Sequence, residues 1–273
     1  MQLGISTYTF GWAVGDPGNH CPPKPIDELT LLSRAEQLGV RLVQFGDNLP
    51  LHELSVGRLA ALKQETGQRG IQLEVGARGL TDEHLSRYIE LSVYLKSRLL
   101  RFVIDKGAYK PAIDAVIGIL KNAVPSLEKM GITLGIENHD RLLAGEFAEI
   151  MERVGSLQIG ICLDSVNSMG AGEGLADVVN TLAPYTVNLH LKDFGIRRLP
   201  HLMGFQIDGR PAGQGMLNIP WLVQQINPYG RCRTAILEQW VVPEPDLTDT
   251  ITKEAAWAEE SITYLKNSEL FCF

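Results

Sequence analysis

Residues 133–167 read TLGIENHDRLLAGEFAEIMERVGSLQIGICLDSVN, and this stretch decides the fold. Two apolar runs, Thr133–His139 and Ile159–Asn167, read as buried strands, and each places an acid near its C-terminal end: Glu137 in the first, Asp164 in the second. Between them Glu146–Val154 has the length of a helix and stops at Gly155. A strand, a helix and a second strand in this order imply a right-handed crossover between parallel strands.

The same unit repeats outward in both directions. Further strands are expected at Leu3–Phe10, Leu42–Asn48, Gln72–Gly79, Leu99–Ile104, Thr186–Phe194 and Thr234–Trp240. Helices are expected at Pro25–Leu38, stopped by Gly39, at Thr81–Lys96, capped by Thr81, and at Lys110–Met130, with Pro111 in its first turn and Gly131 at its end. Leu175–Leu182, Ile219–Ile226 and Asp249–Lys266 supply the others. Eight alternating strands with no linker between them predict an α/β protein, a single (β/α)8 TIM barrel over residues 1–273. A doubly wound sheet is the competing architecture. It would often open with a glycine-rich phosphate loop, whereas GWAVGDPGNHCPP after the first strand has no GxGxxG. Two connections are long, Gly11–Lys24 and Gly195–Asn218, and read as rim loops of a catalytic face or as surface excursions.

Composition bounds the function. The chain has 273 residues, 45% hydrophobic and 21% charged, with a net charge of −7, which argues against a nucleic-acid partner because a phosphate backbone calls for a basic surface. No basic stretch followed by a long apolar run stands at the N-terminus, and no apolar segment approaches the ~20 residues that span a bilayer. Cys21, Cys162, Cys232 and Cys272 form no CxxC pair, and Cys162 reads as a small buried hydrophobe. The expectation is a soluble, cytoplasmic protein with reduced thiols, its exposed helices compatible with a homo-oligomer.

The chemistry is expected at four strand ends: Glu137 in TLGIENH, Asp164 in IGICLDSVN, His190 in TVNLHLKDF and Glu238 in TAILEQW. In a barrel the C-terminal ends of the strands form the mouth of the active site. Three carboxylates converging there would be very costly without a compensating cation. Three oxygen donors and one imidazole suit one divalent metal ion, Mn²⁺ first, with Mg²⁺, Co²⁺ or Fe²⁺ as alternatives. The scarcity of further histidine and cysteine ligands counts against zinc.

The motifs IEN, CLDSVNSMGAGEG, NLHLKDF and ILEQW, in this strand order, resemble the xylose isomerase-like TIM-barrel superfamily over nearly the whole chain. That superfamily holds sugar isomerases and epimerases, dehydratases, decarboxylases and endonucleases. The resemblance implies that Glu137, Asp164, His190 and Glu238 bind one metal. In the ketose epimerase branch, the residues matching Glu137 and Glu238 also exchange protons on opposite faces of the substrate. A departure stands at Asp164–Asn167: that branch often reads DxxH, and Asn167 cannot titrate.

Secondary candidates surround the four. Lys192 shares a strand face with His190, and Arg197, Arg198, His201 and Arg210 lie in the long seventh loop, where they would meet an anionic substrate group or form a solvated surface. Asn167 would hold a substrate hydroxyl. His139 would contact substrate, support a ligand or make a structural hydrogen bond. Phe10, Trp12 and Trp240 are candidates for the pocket wall, with core packing the plainer reading of Trp240. Gly213–Gly215 reads as a turn that lets backbone approach closely.

Two enzymatic readings follow. The first is a metal-dependent isomerase or epimerase acting through an ene-diolate on a ketose or oxo-sugar. The second is a lyase that decarboxylates or dehydrates a 3-oxo-sugar acid such as 3-oxo-isoapionate. The substrate in either case is a small carbohydrate, optionally anionic. An endonuclease is disfavoured by the acidic charge and the few histidines, and a non-catalytic binder would leave open coordination positions and two acids without use.

Overall fold

The structure is a computed structural model that describes residues 1–16 and 20–273; Pro17, Gly18 and Asn19, inside the first long loop, lie outside the described residues. Its strands are β1 (Gln2–Ser6), β2 (Leu42–Phe45), β3 (Gln72–Arg78), β4 (Leu99–Val103), β5 (Thr133–Glu137), β6 (Ile159–Asp164), β7 (Thr186–Leu191), β8 (Asp193–Arg198), β9 (Phe205–Arg210) and β10 (Thr234–Leu237). Eight of these close a barrel in the order β1-β10-β7-β6-β5-β4-β3-β2. Every pair around the ring is parallel, and β1 shuts it by pairing with both β2 and β10. The eight strands read from the sequence are all barrel strands. Several run shorter than expected, because the chain leaves the ladder just where its polar residues enter the rim.

The helices are α1 (Gly11–Val14), α2 (Glu28–Gln37), α3 (Val56–Arg69), α4 (Asp82–Leu95), α5 (Ile113–Met130), α6 (Ala144–Val154), α7 (Leu175–Leu182), α8 (Ile219–Ile226) and α9 (Leu247–Asn267). Each presents an apolar stripe inward; Leu31, Leu32 and Ala35 of α2 are fully buried, as are Val178, Val179 and Leu182 of α7. Thr81 caps α4 by accepting from the His84 N–H at 3.2 Å. Helix α5 starts at Ile113, so Pro111 precedes it and does not sit in its first turn.

Other elements differ from the sequence reading: helix α1 lies where only the loop Gly11–Lys24 was expected. Helix α3 was not expected: its sequence, VGRLAALKQETGQR, holds two glycines and buries only Leu62 and Thr66, too thin a stripe to show as periodicity. The seventh loop is also not irregular. It contains an antiparallel hairpin, β8–β9, whose register runs from Asp193↔Arg210 at its base to Arg198↔Phe205 near its turn. The expected strand Thr186–Phe194 therefore divides in two, with Lys192 at the break.

The loop that returns from this hairpin is tied to its base by one carboxylate. Asp193 accepts from the N–H groups of Gly213 (2.9 Å), Gly215 (3.0 Å), Leu217 (2.9 Å) and Phe194 (2.8 Å). A Cβ at Gly215 would lie 2.1 Å from Asp193 Oδ1, so only glycine fits this close approach. Among the described residues no helix is long and apolar enough to cross a membrane.

Candidate functional site

Glu137 and Asp164 are the last residues of β5 and β6, His190 is the penultimate residue of β7, and Glu238 follows β10 directly. Because strands β5, β6, β7 and β10 are consecutive around the ring, the four side chains meet on one side of the barrel mouth. All four are buried. His190 Nδ1 lies 3.4 Å from Glu238 Oε1, 3.6 Å from Glu137 Oε2 and 3.9 Å from Asp164 Oδ2.

The tautomer of His190 is set from below. Gln44 on β2 donates from Nε2 to Glu74 Oε2 (2.9 Å) and to Asn188 Oδ1 (3.1 Å), which leaves its Oε1 facing His190. His190 Nε2 therefore donates to Gln44 Oε1 at 2.8 Å. Nδ1 is left pointing at the carboxylates with no hydrogen-bond partner. Burial opposes a charge on this imidazole, but the carboxylates of Glu238 and Glu137 outweigh it and raise its pKa.

Each carboxylate is held differently. Asp164 Oδ1 accepts from the N–H groups of Val166 (2.8 Å) and Asn167 (2.9 Å), so its Oδ2 turns inward; Asn138 fixes the backbone behind it, accepting from Asp164 N at 2.6 Å and donating to Asp164 O at 3.0 Å. Glu238 Oε1 accepts from Ser6 Oγ at 3.0 Å. Lys192 Nζ lies 2.8 Å from Asp164 Oδ2 and 3.0 Å from Glu238 Oε2. Burial opposes ionisation of Glu238, yet His190 and Lys192 prevail and hold it well below the usual carboxylate range. The same two carboxylates outweigh burial at Lys192 and raise its pKa.

Glu137 is the most committed of the four. Its Oε2 is ion-paired with Arg101 Nε, and its Oε1 accepts from Asn167 Nδ2 at 2.8 Å. Arg101 comes from β4 and is buried; its Nη1 also donates to Asp47 at 2.9 Å, and Arg78 Nε holds the other Asp47 oxygen at 2.9 Å. Burial works against the charge on Glu137, and Arg101 and then His190 overcome it, lowering its pKa. Gly76 on β3 makes room for this arginine: a Cβ there would lie 3.3 Å from Arg101 Cδ and 2.6 Å from the Phe45 carbonyl.

The donor set has the dimensions of a metal site. Asp164, His190 and Glu238 each offer one atom, all within 4.8 Å of one another, and Glu137, Cys162 and His190 form an overlapping set. Ligand–ion distances of about 2.0–2.6 Å allow one ion to bridge groups spaced in this way. The unpartnered Nδ1 of His190 is the observation that favours such an ion.

The other sequence candidates divide. Lys192 and Asn167 are in the cluster. His139 is half-buried at its margin: Nδ1 is paired with Asp140, and Nε2 accepts from Arg78 Nη2 at 3.3 Å. Arg210 stands at the hairpin base and donates to Gly209 O at 2.6 Å. His201 is exposed at the hairpin turn, where Nδ1 accepts from Met203 N at 3.2 Å, and it makes no contact with the cluster. Arg197 and Arg198 serve the hairpin itself, bonded to Asp208 (3.0 Å) and Leu202 O (2.8 Å). Trp240 is not a core residue; it is partly exposed, and Nε1 donates to Asp193 O at 3.1 Å. Trp12 ties the first rim loop to the last through Nε1 and Val241 O at 2.9 Å, while Phe10 is buried in the core.

The sequence reading missed Ser6, Gln44, Asp47, Glu74, Arg78, Arg101 and Asn138. A signal existed for three of them. Gln44, Glu74 and Arg101 are polar residues inside the short apolar runs LVQF, QLEVGAR and LLRFV, where a buried polar side chain calls for a partner.

The sequence profile of the xylose isomerase-like TIM barrel matches residues 32–268. The chain belongs to that family. This xylose isomerase-like barrel is 32% identical over 265 residues to the 3-oxo-isoapionate decarboxylase of Pectobacterium atrosepticum, spanning 97% of this chain and 95% of that protein. Among solved structures it shares the fold of a D-psicose 3-epimerase determined in the presence of D-fructose, with 14% identity, a TM-score of 0.71 and 98% of each chain covered. It shares it likewise with a xylose isomerase-like TIM barrel protein of Mycobacterium smegmatis in complex with magnesium, at 13% identity and a TM-score of 0.70, with 96% of this chain and 97% of that chain covered. Its membership in an enzymatic family and its decarboxylase relative support an enzyme acting on a small carbohydrate.

Proposed function

We propose that this protein is a divalent-metal-dependent decarboxylase of a 3-oxo sugar acid. The observation that carries the reading is the 32% identity to a 3-oxo-isoapionate decarboxylase, sustained over 97% of the chain. The isomerase reading that the sequence placed first becomes the second. Exchange of a proton on both faces of a substrate needs two carboxylates free to take and return it. Here one of the two candidates, Glu137, has both oxygens engaged by Arg101 and Asn167.

Asp164, His190 and Glu238 would hold the ion, while Glu137 stands beside them engaged by Arg101 and Asn167. A divalent cation, when bound, acts as a Lewis acid toward a carbonyl oxygen and stabilises negative charge that develops there. Cleavage of a 3-oxo acid breaks the bond between the carboxylate carbon and C2. The electron pair passes to the C3 carbonyl oxygen, CO2 leaves, and the resulting enolate takes a proton at C2.

Residues of this chain would serve each part. Lys192, held between Asp164 and Glu238, supplies positive charge at the mouth of the cluster. Arg101 keeps Glu137 ionised and fixed. Asn167, which donates and does not titrate, holds Glu137 in place and agrees with a reaction that needs no second acid–base group at that position. Arg78 and His139 lie at the margin of the cluster, where a substrate hydroxyl could reach them.

The test is an incubation of Mn²⁺- or Mg²⁺-loaded protein with 3-oxo sugar acids and with ketoses in D2O, following CO2 release and C–H exchange together. Release of CO2 with one deuteron incorporated per turnover is the expected result. Exchange or epimerisation of ketoses without CO2 would sink the decarboxylase reading and restore the isomerase.

A further inference from the structure

A cavity of about 750 Å³ opens at the opposite end of the barrel from the carboxylate cluster. Gln2, Leu42, Gln72, Leu99, Thr133 and Thr234 line it, and these are the first residues of β1, β2, β3, β4, β5 and β10. Its size falls in the range of small-molecule sites, roughly 300–1,000 Å³.

Its charge is unlike that of the rest of the chain. The protein has 32 acidic and 25 basic residues, yet this lining holds five cations, Lys63, Lys96, Arg98, Arg231 and Arg233, against the single acid Glu74. Some of that charge complements the C-terminal ends of α3, α4 and α5, which face this side. Each helix end carries about −0.5 of a charge, so three of them and an ionised Glu74 still leave a surplus of roughly two to three positive charges. The cations are also available. The side chains of Lys96, Arg98 and Arg233 have no hydrogen bond or ion pair among the described residues, and Lys63 Nζ rests over the Tyr94 ring at 4.2 Å. Arg231 is positioned by carbonyls, donating to Ile159 O at 3.0 Å and Leu157 O at 3.2 Å.

We propose that this N-terminal face is a second ligand site, for a small molecule that carries a phosphate or carboxylate group. Guanidinium groups recognise both anions through paired N–H donors, and the concave shape with apolar walls (Leu42, Leu73, Leu99) suits a compact molecule better than a flat protein surface. The proposal does not rest on the decarboxylase reading: of this lining only Glu74 belongs to the polar layer beneath His190, and no residue belongs to the carboxylate cluster itself.

Calorimetric titration of the full-length protein with glucose 6-phosphate, and separately with succinate, tests it. The expected result is saturable one-site binding of at least one probe, and the tighter of the two identifies the preferred anion. Binding should weaken about tenfold for each guanidinium removed in Arg98→Ser and Arg233→Ser. Both side chains are exposed and have no partner among the described residues, so circular dichroism and melting should be unchanged in the variants. The affinity of the unmodified protein should also fall as NaCl is raised. Absence of saturable binding for both probes, affinity unaltered in the double variant, or affinity indifferent to salt would each overturn the proposal. Loss of binding in Asp164→Asn with retention in the double variant would place the anion in the carboxylate cluster instead, and would overturn it as well.

Discussion

His190 Nε2 donates to Gln44 Oε1 at 2.8 Å, and this one bond turns Nδ1 of the imidazole toward three carboxylates. The two residues lie on β7 and β2, three strands apart around the ring, so the bond crosses the interior. Glu74 and Asn188 hold the Gln44 amide in the required sense from below. A polar layer inside the barrel thus orients the His190 imidazole at its mouth.

Replacing Gln44 by leucine removes the acceptor and leaves Glu74 and Asn188 short of a buried donor. Metal affinity, measured by competition with a chromogenic chelator, should fall about 10- to 100-fold, the usual effect of losing a group that orients a ligating histidine. Melting should show a loss of roughly 1–3 kcal/mol from the unsatisfied polar groups. Unchanged affinity would mean that His190 finds its orientation without Gln44.

Arg101→Met should destabilise the protein by about 3–5 kcal/mol, because Glu137 and Asp47 lose a buried counter-charge. The pH dependence carries the sign. Burial opposes ionisation of Asp47, and Arg101 and Arg78 outweigh it and lower its pKa. A lowered carboxylate contributes stability that is complete above its unfolded value and is lost as pH falls through the folded one. In the native protein, the part of the denaturant midpoint owed to Asp47 and Glu137 should therefore be lost only below the ordinary carboxylate range. In the variant that lowering of the carboxylate pKa values is weaker, so its deficit relative to the native protein should narrow as acidification protonates Glu137 and Asp47. A variant whose midpoint tracks the native curve at every pH would refute the ion-pair account.

Lys192→Gln separates catalysis from metal binding. Lys192 lies 2.8 Å from Asp164 and 3.0 Å from Glu238, so its loss leaves more negative charge for a cation. Metal affinity should be retained or increased, while kcat for CO2 release falls about 10²–10³-fold, as for loss of a donor to developing negative charge. Parallel loss of both would point to a structural role only.

Gly215→Ala addresses the seventh loop. The added methyl would stand 2.1 Å from Asp193 Oδ1 and 2.4 Å from Phe194 O, so the loop must move off the carboxylate that anchors it. The cost should be about 1–3 kcal/mol. Limited proteolysis should cut the 199–204 hairpin turn faster than in the native protein, and equal cleavage rates would show that the hairpin does not depend on this anchor.

The barrel itself was legible in the sequence because parallel strands buried on both faces leave short apolar runs, and helices between them leave a 3.6-residue rhythm. The four strand-end residues Glu137, Asp164, His190 and Glu238 were legible for the same reason: a charge at the end of an apolar run stands out. Helix α3 was hidden because only Leu62 and Thr66 are buried, and the β8–β9 hairpin because exposed strands such as FQIDGR lack a clear apolar alternation. Tertiary structure alone decided which groups are paired. Arg101 could have faced any neighbour, but its register partner Gly76 clears space beside it, and it pairs with Glu137 on the next strand. Gln44 and His190 are 146 positions apart, and their bond exists only because closing the barrel brings β2 and β7 to face each other across the interior. Local pattern determined where the polar side chains stand along the strands. Long-range closure decided which charges they meet, and with that whether Glu137 is a free base or a pinned one.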